Sequence, residues 1–290
     1  MSADRSTSTI ATLLVSCPDR KGLVAALAQL LYGHGANIVD SDQHTDAAAG
    51  QFFQRIRFDL AEIHTDRIAV ERAVAEVAQR FNMSFRLRYP EVATNVAIFV
   101  SRYGHCLDDL LWRYGSGELP CVVRLIISNH EDLADLARRV NIPFHVIPVP
   151  SGGKTAAEAH ALELLDAHNI DLLVFARYMQ VVSPEFIGRY PSRIINIHHS
   201  FLPAFVGQKP YQQAYERGVK LIGATAHYAT ADLDEGPIIE QGVTRISHRD
   251  TVEDLVRKGR DLEKVVLANA VRMHLEDRVL VVGKRTVVFD

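Results

Sequence analysis

The chain has 290 residues, more than the roughly 100–200 of an ordinary single domain, so two domains are expected. Hydrophobic residues make up 48% and charged residues 23%, and the mean hydropathy is +0.00, which excludes intrinsic disorder over most of the length. Lys and Arg number 32 against 35 Asp and Glu, so no global positive field exists to hold nucleic acid or an anionic membrane.

No apolar run approaches the roughly 18 residues that a spanning helix needs, and the opening residues 1–8 lack the apolar core of a signal peptide. A cytoplasmic protein is expected. Cys17, Cys106 and Cys121 show no metal-ligand spacing, and an odd, sparse set suits a reducing compartment rather than a disulfide scaffold.

The first strand runs over residues 9–17 and closes on the turn Pro18-Asp19-Arg20-Lys21-Gly22. Leu23, Ala26, Leu27, Leu30 and Leu31 then repeat at helical spacing until Gly33 and Gly35. Residues 37–44 and 51–60 read as paired strands. In the second, Phe52, Ile56, Phe58 and Leu60 share one face and Phe53, Arg55, Arg57 and Asp59 the other, which predicts an antiparallel sheet covered on one side. A helix follows over 65–81, capped by Thr65 or Asp66, and a short strand over 84–89 completes the order βαββαβ. This segment is electrically neutral, with 10 basic and 10 acidic residues in 1–90.

A boundary is placed at 89–94, giving domains 8–90 and 91–290. Asn95 to Val100 is a continuous apolar run of the kind buried on both faces of a parallel sheet. Beyond it, strands at 122–128, 144–147, 172–176, 193–197, 221–228 and 238–243 alternate with helices at 131–140 and 156–167, and a long helix covers 251–276. The class is α/β, an open and mostly parallel sheet with crossover helices. The strand 193–197 runs into His198-His199-Ser200, so polar side chains stand at a strand's carboxyl end, where such sheets bind ligands.

Two motifs are set aside. Ser151-Gly152-Gly153-Lys154-Thr155 ends like a phosphate-binding loop, but Pro148 stands where the first glycine belongs, and Lys154 reads as a solvated loop residue. His105-Cys106 pairs a base with a thiol, yet adjacent residues on a helix diverge.

The βαββαβ segment with its Pro18–Gly22 loop resembles the ACT family, ferredoxin-like regulatory modules that pair edge to edge and bind amino acids at that loop. The resemblance implies an effector site at Asp19, Arg20, Lys21 and Gly22, with methionine or glycine as effector, and a homo-oligomer assembled through this domain. A helix N-terminus at Gly22 offers free N–H groups to a carboxylate, although the same loop serves equally as a plain turn.

Further on, Asn196-Ile197-His198-His199-Ser200-Phe201-Leu202-Pro203, Gly223-Ala224-Thr225-Ala226-His227-Tyr228 and Asp232-Leu233-Asp234-Glu235-Gly236-Pro237 stand in the order of the 10-formyltetrahydrofolate-using formyltransferases. With Ala176-Arg177-Tyr178-Met179-Gln180-Val181-Val182 and the N-terminal module, nearly the full length resembles the formyltetrahydrofolate deformylase family. The resemblance implies Asn196, His198 and Asp234 as catalytic residues, with His199 and His227 orienting them. It also implies a folate pocket at Met179, Gln180, Val181 and Val182, closed by Ala229, Thr230, Ala231, Asp232 and Leu233. Relatives often carry Arg where this chain has Gln180. The implied reaction converts 10-formyltetrahydrofolate and water to formate and tetrahydrofolate, feeding one-carbon and purine metabolism, with folate as substrate and no cofactor.

The residues themselves suit that chemistry. Cleaving a formyl amide needs donors for a developing oxyanion, which an Asn amide and a His supply, and a carboxylate that handles protons. Three rivals remain. One is a zinc site of His198, His199, His227 and Asp234, disfavoured because adjacent strand residues point apart. Another is transfer of the formyl group to an amine such as glycinamide ribonucleotide, against which the loop Ser101-Arg102-Tyr103-Gly104-His105-Cys106-Leu107 argues, being too bulky to cradle a phosphate. The third is an amino-acid-sensing protein with an inactive catalytic domain.

Overall fold

The computed structural model describes residues 9–204 and 210–290, and the opening residues 1–8 read above for a leader lie outside them. The chain divides into two compact units. The first comprises residues up to Ala93 with Asp277–Leu280 and Val287–Asp290, and the second comprises Thr94–Glu276 with Val281–Thr286.

The first unit runs β1 (Ile10–Pro18), α1 (Leu23–Gly33), β2 (Asn37–Asp46), β3 (Gln51–Asp59), α2 (Arg67–Phe81) and β4 (Ser84–Arg88). Its antiparallel sheet has the order β2-β3-β1-β4. Leu23, Leu27 and Leu31, one turn apart on α1, and Val70, Val74 and Ala78 on α2 close over Leu13, Val15, Ile56 and Phe58 of the sheet. Asp66, rather than Thr65, caps α2, its carboxylate accepting from the Ala69 N–H at 2.7 Å.

One expectation needs correcting here. The second face of β3 is covered too, with Phe53 and Arg55 buried as well as Phe52, Gln54 and Ile56 on the first. The cover is polar at Arg55, whose Nη1 meets Asp40 at 3.2 Å and whose Nε donates to the Asp277 carbonyl at 3.0 Å. Asp277 is itself buried, its carboxylate 3.0 Å from Arg88 Nε and 3.4 Å from Arg86 Nε. Arg55, which breaks the apolar alternation of β3, is therefore met by a backbone carbonyl 222 residues away in sequence, which alternation alone does not disclose.

The second unit runs β5 (Thr94–Val100), α3 (His105–Ser116), β6 (Cys121–Ser128), α4 (Ala134–Arg139), β7 (Phe144–Val146), α5 (Lys154–Ala167), β8 (Leu172–Phe175), α6 (Pro184–Arg189), β9 (Ile194–His198), α7 (Pro210–Arg217), β10 (Leu221–Tyr228), β11 (Ile238–Arg245) and α8 (Val252–Leu275). The hairpin β12 (Val279–Val282) and β13 (Arg285–Val288) follows. The seven strands have the order β11-β10-β9-β8-β5-β6-β7. Strands β5 to β9 are parallel, and β10 is antiparallel to both of its neighbours, so the sheet is mostly parallel as expected. From β5 the chain steps outward through β6 and β7, then returns on the other side to β8 and β9. The β5/β8 junction is thus the switch point at which open α/β sheets form a crevice beyond their carboxyl ends. Helix α8 begins with a capping box of Thr251 and Asp254 and packs against β9, β10 and β11.

Candidate active site

Strand β9 holds Asn196 and His198 two residues apart, so both side chains leave the same face while Ile195 and Ile197 are buried on the other. Antiparallel pairing sets His227 of β10 directly across from Asn196. The His227 Nδ1 lies 3.0 Å from the Tyr228 carbonyl and must donate to it, which leaves Nε2 facing the Asn196 Nδ2 at 3.2 Å. His227 thereby fixes how the Asn196 amide is turned.

The loop after β10 brings in the carboxylate. Tyr228 N–H donates to the Pro237 carbonyl and Ala229 N–H to the Ile194 carbonyl, so residues 229–237 turn back beside the first residue of β9. Asp234 adopts a left-handed φ of 58°, and a Cβ at Gly236 would overlap the Tyr228 carbonyl, so the tight return requires glycine. Asp234 Oδ1 then lies 3.1 Å from His198 Nδ1 and 3.7 Å from His227 Nε2. Burial alone would raise the Asp234 carboxyl, but the His198 hydrogen bond and the neighbouring His227 ring more than reverse this and hold it well below the usual range. The carboxylate therefore stays ionised. With Nδ1 engaged, His198 Nε2 is buried without a hydrogen-bond partner among the described residues.

His199 packs by its ring. Among the described residues its contacts are ring contacts, with His198 at 5.2 Å and Tyr211 at 6.1 Å between centroids. Burial, aided by the nearby Arg177 cation, lowers its pKa to about 4, so it stays neutral. The segment after it is anchored by Thr225, whose hydroxyl donates to the Ser200 carbonyl at 2.9 Å and accepts from Leu202 N–H at 3.1 Å.

A cleft is lined by Tyr178, Gln180, Val181 and Val182 together with Phe99, Lys154 and Glu158. Met179 does not line it. It is half-exposed, and its N–H donates to Ser101 Oγ at 3.0 Å. Ala229 packs on the same apolar cluster as Tyr178 and Val182, whereas Ala231, Asp232 and Leu233 are exposed and the Thr230 hydroxyl turns back to the Asp232 carbonyl. Lys154 is no loop residue: it opens α5, 4.0 Å from Glu158. In the first unit a second cleft is lined by Asp19, Arg20, Gly22, Gln43, Thr45 and Phe52, but not by Lys21. Gly22 has φ 92°, and Arg20 donates to the Arg80 carbonyl at 3.1 Å.

Among the described residues, the one group of three or more donors lying within 4.8 Å of one another is His105, Cys106 and Glu263, not the histidines around Asp234. In that group burial pushes the Cys106 thiol well up, which also removes it as a nucleophile.

Comparison with known proteins bears on this arrangement. The formyl transferase family model matches residues 94–271, and the ACT domain model matches residues 11–80. A formyltetrahydrofolate deformylase of Synechocystis sp. is 52% identical over 279 residues, 96% of this chain and 98% of the relative. The chain belongs to the formyltetrahydrofolate deformylase family. The crystal structure of a family member from Pseudomonas syringae pv. tomato superposes with a TM-score of 0.96 at 45% identity, covering 99% of this chain and 96% of that one. A glycinamide ribonucleotide transformylase from Symbiobacterium toebii covers 68% of this chain and 95% of its own, with a TM-score of 0.65 at 35% identity. The deformylase likeness thus spans both units, and the transformylase likeness only part of the chain.

Sequence reasoning misses one part of this deformylase-family site. Glu263, 1% exposed, sits inside the apolar stripe of α8 and meets His105 Nε2 at 2.8 Å, the Tyr211 hydroxyl at 2.5 Å and Arg177 Nε at 3.4 Å. Burial would raise its carboxyl, but His105, Arg177 and Tyr211 together lower it. The available signal was a charge at helical spacing within buried positions Leu255, Gly259, Val266 and Ala270.

Proposed function

We propose that the chain hydrolyses 10-formyltetrahydrofolate to formate and tetrahydrofolate. The observation that carries this is the buried, unpartnered Nε2 of His198, aimed from a strand end whose other nitrogen is held by an ionised carboxylate. Family membership over both units supplies the substrate. His198 Nε2 and the Asn196 amide donate to the formyl oxygen as negative charge develops there. Asp234 fixes His198 by its charge and orients the attacking water. The water oxygen bonds to the formyl carbon, the C–N10 bond breaks, and N10 keeps the electron pair and takes the proton the water gives up. His227 positions Asn196 throughout. The folate ring lies along Gln180, Val181 and Val182, and folate is a substrate, so no cofactor or metal is called for.

The N-terminal ACT module assembles a homo-oligomer and takes methionine or glycine at the α1 N-terminus, beside Asp19, Arg20 and Gly22. Among the described residues, no helix is long and apolar enough to cross a membrane. Cys17, Cys106 and Cys121 are free and buried, in keeping with the cytoplasm as the compartment.

The test is to incubate the full chain with 10-formyltetrahydrofolate alone and quantify formate, then to add saturating glycinamide ribonucleotide. Formate release without acceptor is expected. Formylated ribonucleotide accumulating at the expense of formate would instead make the protein a transferase. Repeating the assay with methionine and with glycine identifies the effector by the change in rate.

A further inference from the structure

Beyond the carboxyl ends of β5 and β8, side chains also meet around one buried carboxylate, that of Glu263. Four elements contribute: His105 opens α3 beyond β5, Arg177 follows β8, Tyr211 lies on α7, and Glu263 comes from α8. All converge on the Glu263 carboxylate, whose Oε1 takes the Tyr211 hydroxyl and whose Oε2 takes His105 Nε2 and faces Arg177. Arg177 and Arg260 each approach the Tyr103 ring, at 5.5 Å from its centroid. Tyr211 touches His199, which touches His198, so the network begins one ring away from the candidate catalytic histidine.

Two backbone features serve this packing. Gly259 sits one turn before Glu263, and any Cβ there would overlap the Tyr211 ring. A glycine inside a helix costs about 1 kcal/mol, so the helix gives up stability to seat that ring. Arg177 adopts a left-handed φ of 64°, itself unfavourable for a bulky residue. A buried charge network of this kind is no more stabilising than apolar filler of the same volume. What it does provide is a polar wall in which each carboxylate oxygen already has a donor from this chain.

We propose that the Glu263 network is the acceptor-side wall of the site, a specificity device that admits water to the formyl carbon and excludes amines. This rests on the hydrolytic reading above. With the wall opened, an amine nitrogen forms the new bond to the formyl carbon and loses a proton, while the C–N10 bond breaks and N10 gains one.

The experiment supplies glycinamide to the full chain turning over 10-formyltetrahydrofolate and measures formate and N-formylglycinamide together by mass spectrometry. Their ratio is set within the site and is unchanged when part of a preparation is merely unfolded. Wild type is expected to give formate alone. Tyr211→Ala and Glu263→Ala are expected to bring the amide-to-formate ratio from below detection to about ten times the detection limit or more, a tenfold gain being the least that a shaped pocket contributes to discrimination. Tyr211→Phe, which keeps the ring, should stay on formate. An unchanged ratio in Tyr211→Ala, or amide formation by wild type, overturns the wall while leaving hydrolysis intact. Wild type that releases no formate at all overturns the hydrolytic reading and the wall with it.

Discussion

Replacing Asp234 with asparagine removes one charge and little else. The position has φ 58°, a region asparagine tolerates better than most residues, so the loop keeps its path, as it would not with a β-branched substitute. The carboxylate oxygen lies 3.1 Å from His198 Nδ1 and 3.7 Å from His227 Nε2. At such separations a unit charge pair is worth about 4 kcal/mol for an effective dielectric near 20. His198 acquires only part of a charge as it supports the oxyanion, so about 3 to 4 kcal/mol is at stake in the transition state, the scale of losing one oxyanion donor. Asp234→Asn is therefore expected to lower kcat by about a hundredfold to a thousandfold. The assay is formate release at saturating 10-formyltetrahydrofolate, with thermal unfolding and folate binding run in parallel. A kcat within about tenfold of wild type, in a variant that folds and binds normally, would refute the assignment of Asp234.

Three further outcomes are expected. His199 is neutral when folded, with a pKa of about 4, whereas the unfolded histidine takes a proton near 6.5. The unfolded state thus binds more protons between those values, and stability falls as the pH drops from about 6.5 to about 4; His199→Gln should remove up to roughly 3 kcal/mol of that fall in urea titrations. Gly236→Ala forces backbone apart at the Tyr228 carbonyl, so it should cost about 1–3 kcal/mol and lower turnover beyond what the loss of folded protein explains, read from melting and kcat together. Exhaustive chelation with EDTA should leave formate release unchanged; loss of activity that stoichiometric zinc restores would establish a metal mechanism instead.

The elements legible in the sequence were those whose periodicity is set by one buried face or by complete burial. The Leu23–Leu31 stripe, the apolar runs of β5 and β8, and the strand 221–228 fall where the spacing puts them. Helices α6 and α7, of six and eight residues, are too short to show a repeat, and the β12–β13 hairpin has strands of only four. The expected helix over 131–140 contracts to Ala134–Arg139 because Glu131 to Leu133 forms a turn. At the site, Asn196, His198 and Asp234 were legible because strand spacing and an ordered motif carry them. Glu263, Arg177 and Tyr211 were not, because each comes from a separate element and only the sheet order of β5, β8 and β9 brings them to one place.

The return of residues 277–280 and 287–290 to the first unit bears on how such a protein is taken apart or recombined. A gene cut at residue 93 would deliver the N-terminal module without Asp277, leaving Arg86 and Arg88 short of its carboxylate and Arg55 short of its carbonyl. The module is therefore not a contiguous cassette. Any chimera that exchanges it must carry the C-terminal segment along, and the two ends of the gene are bound to change together.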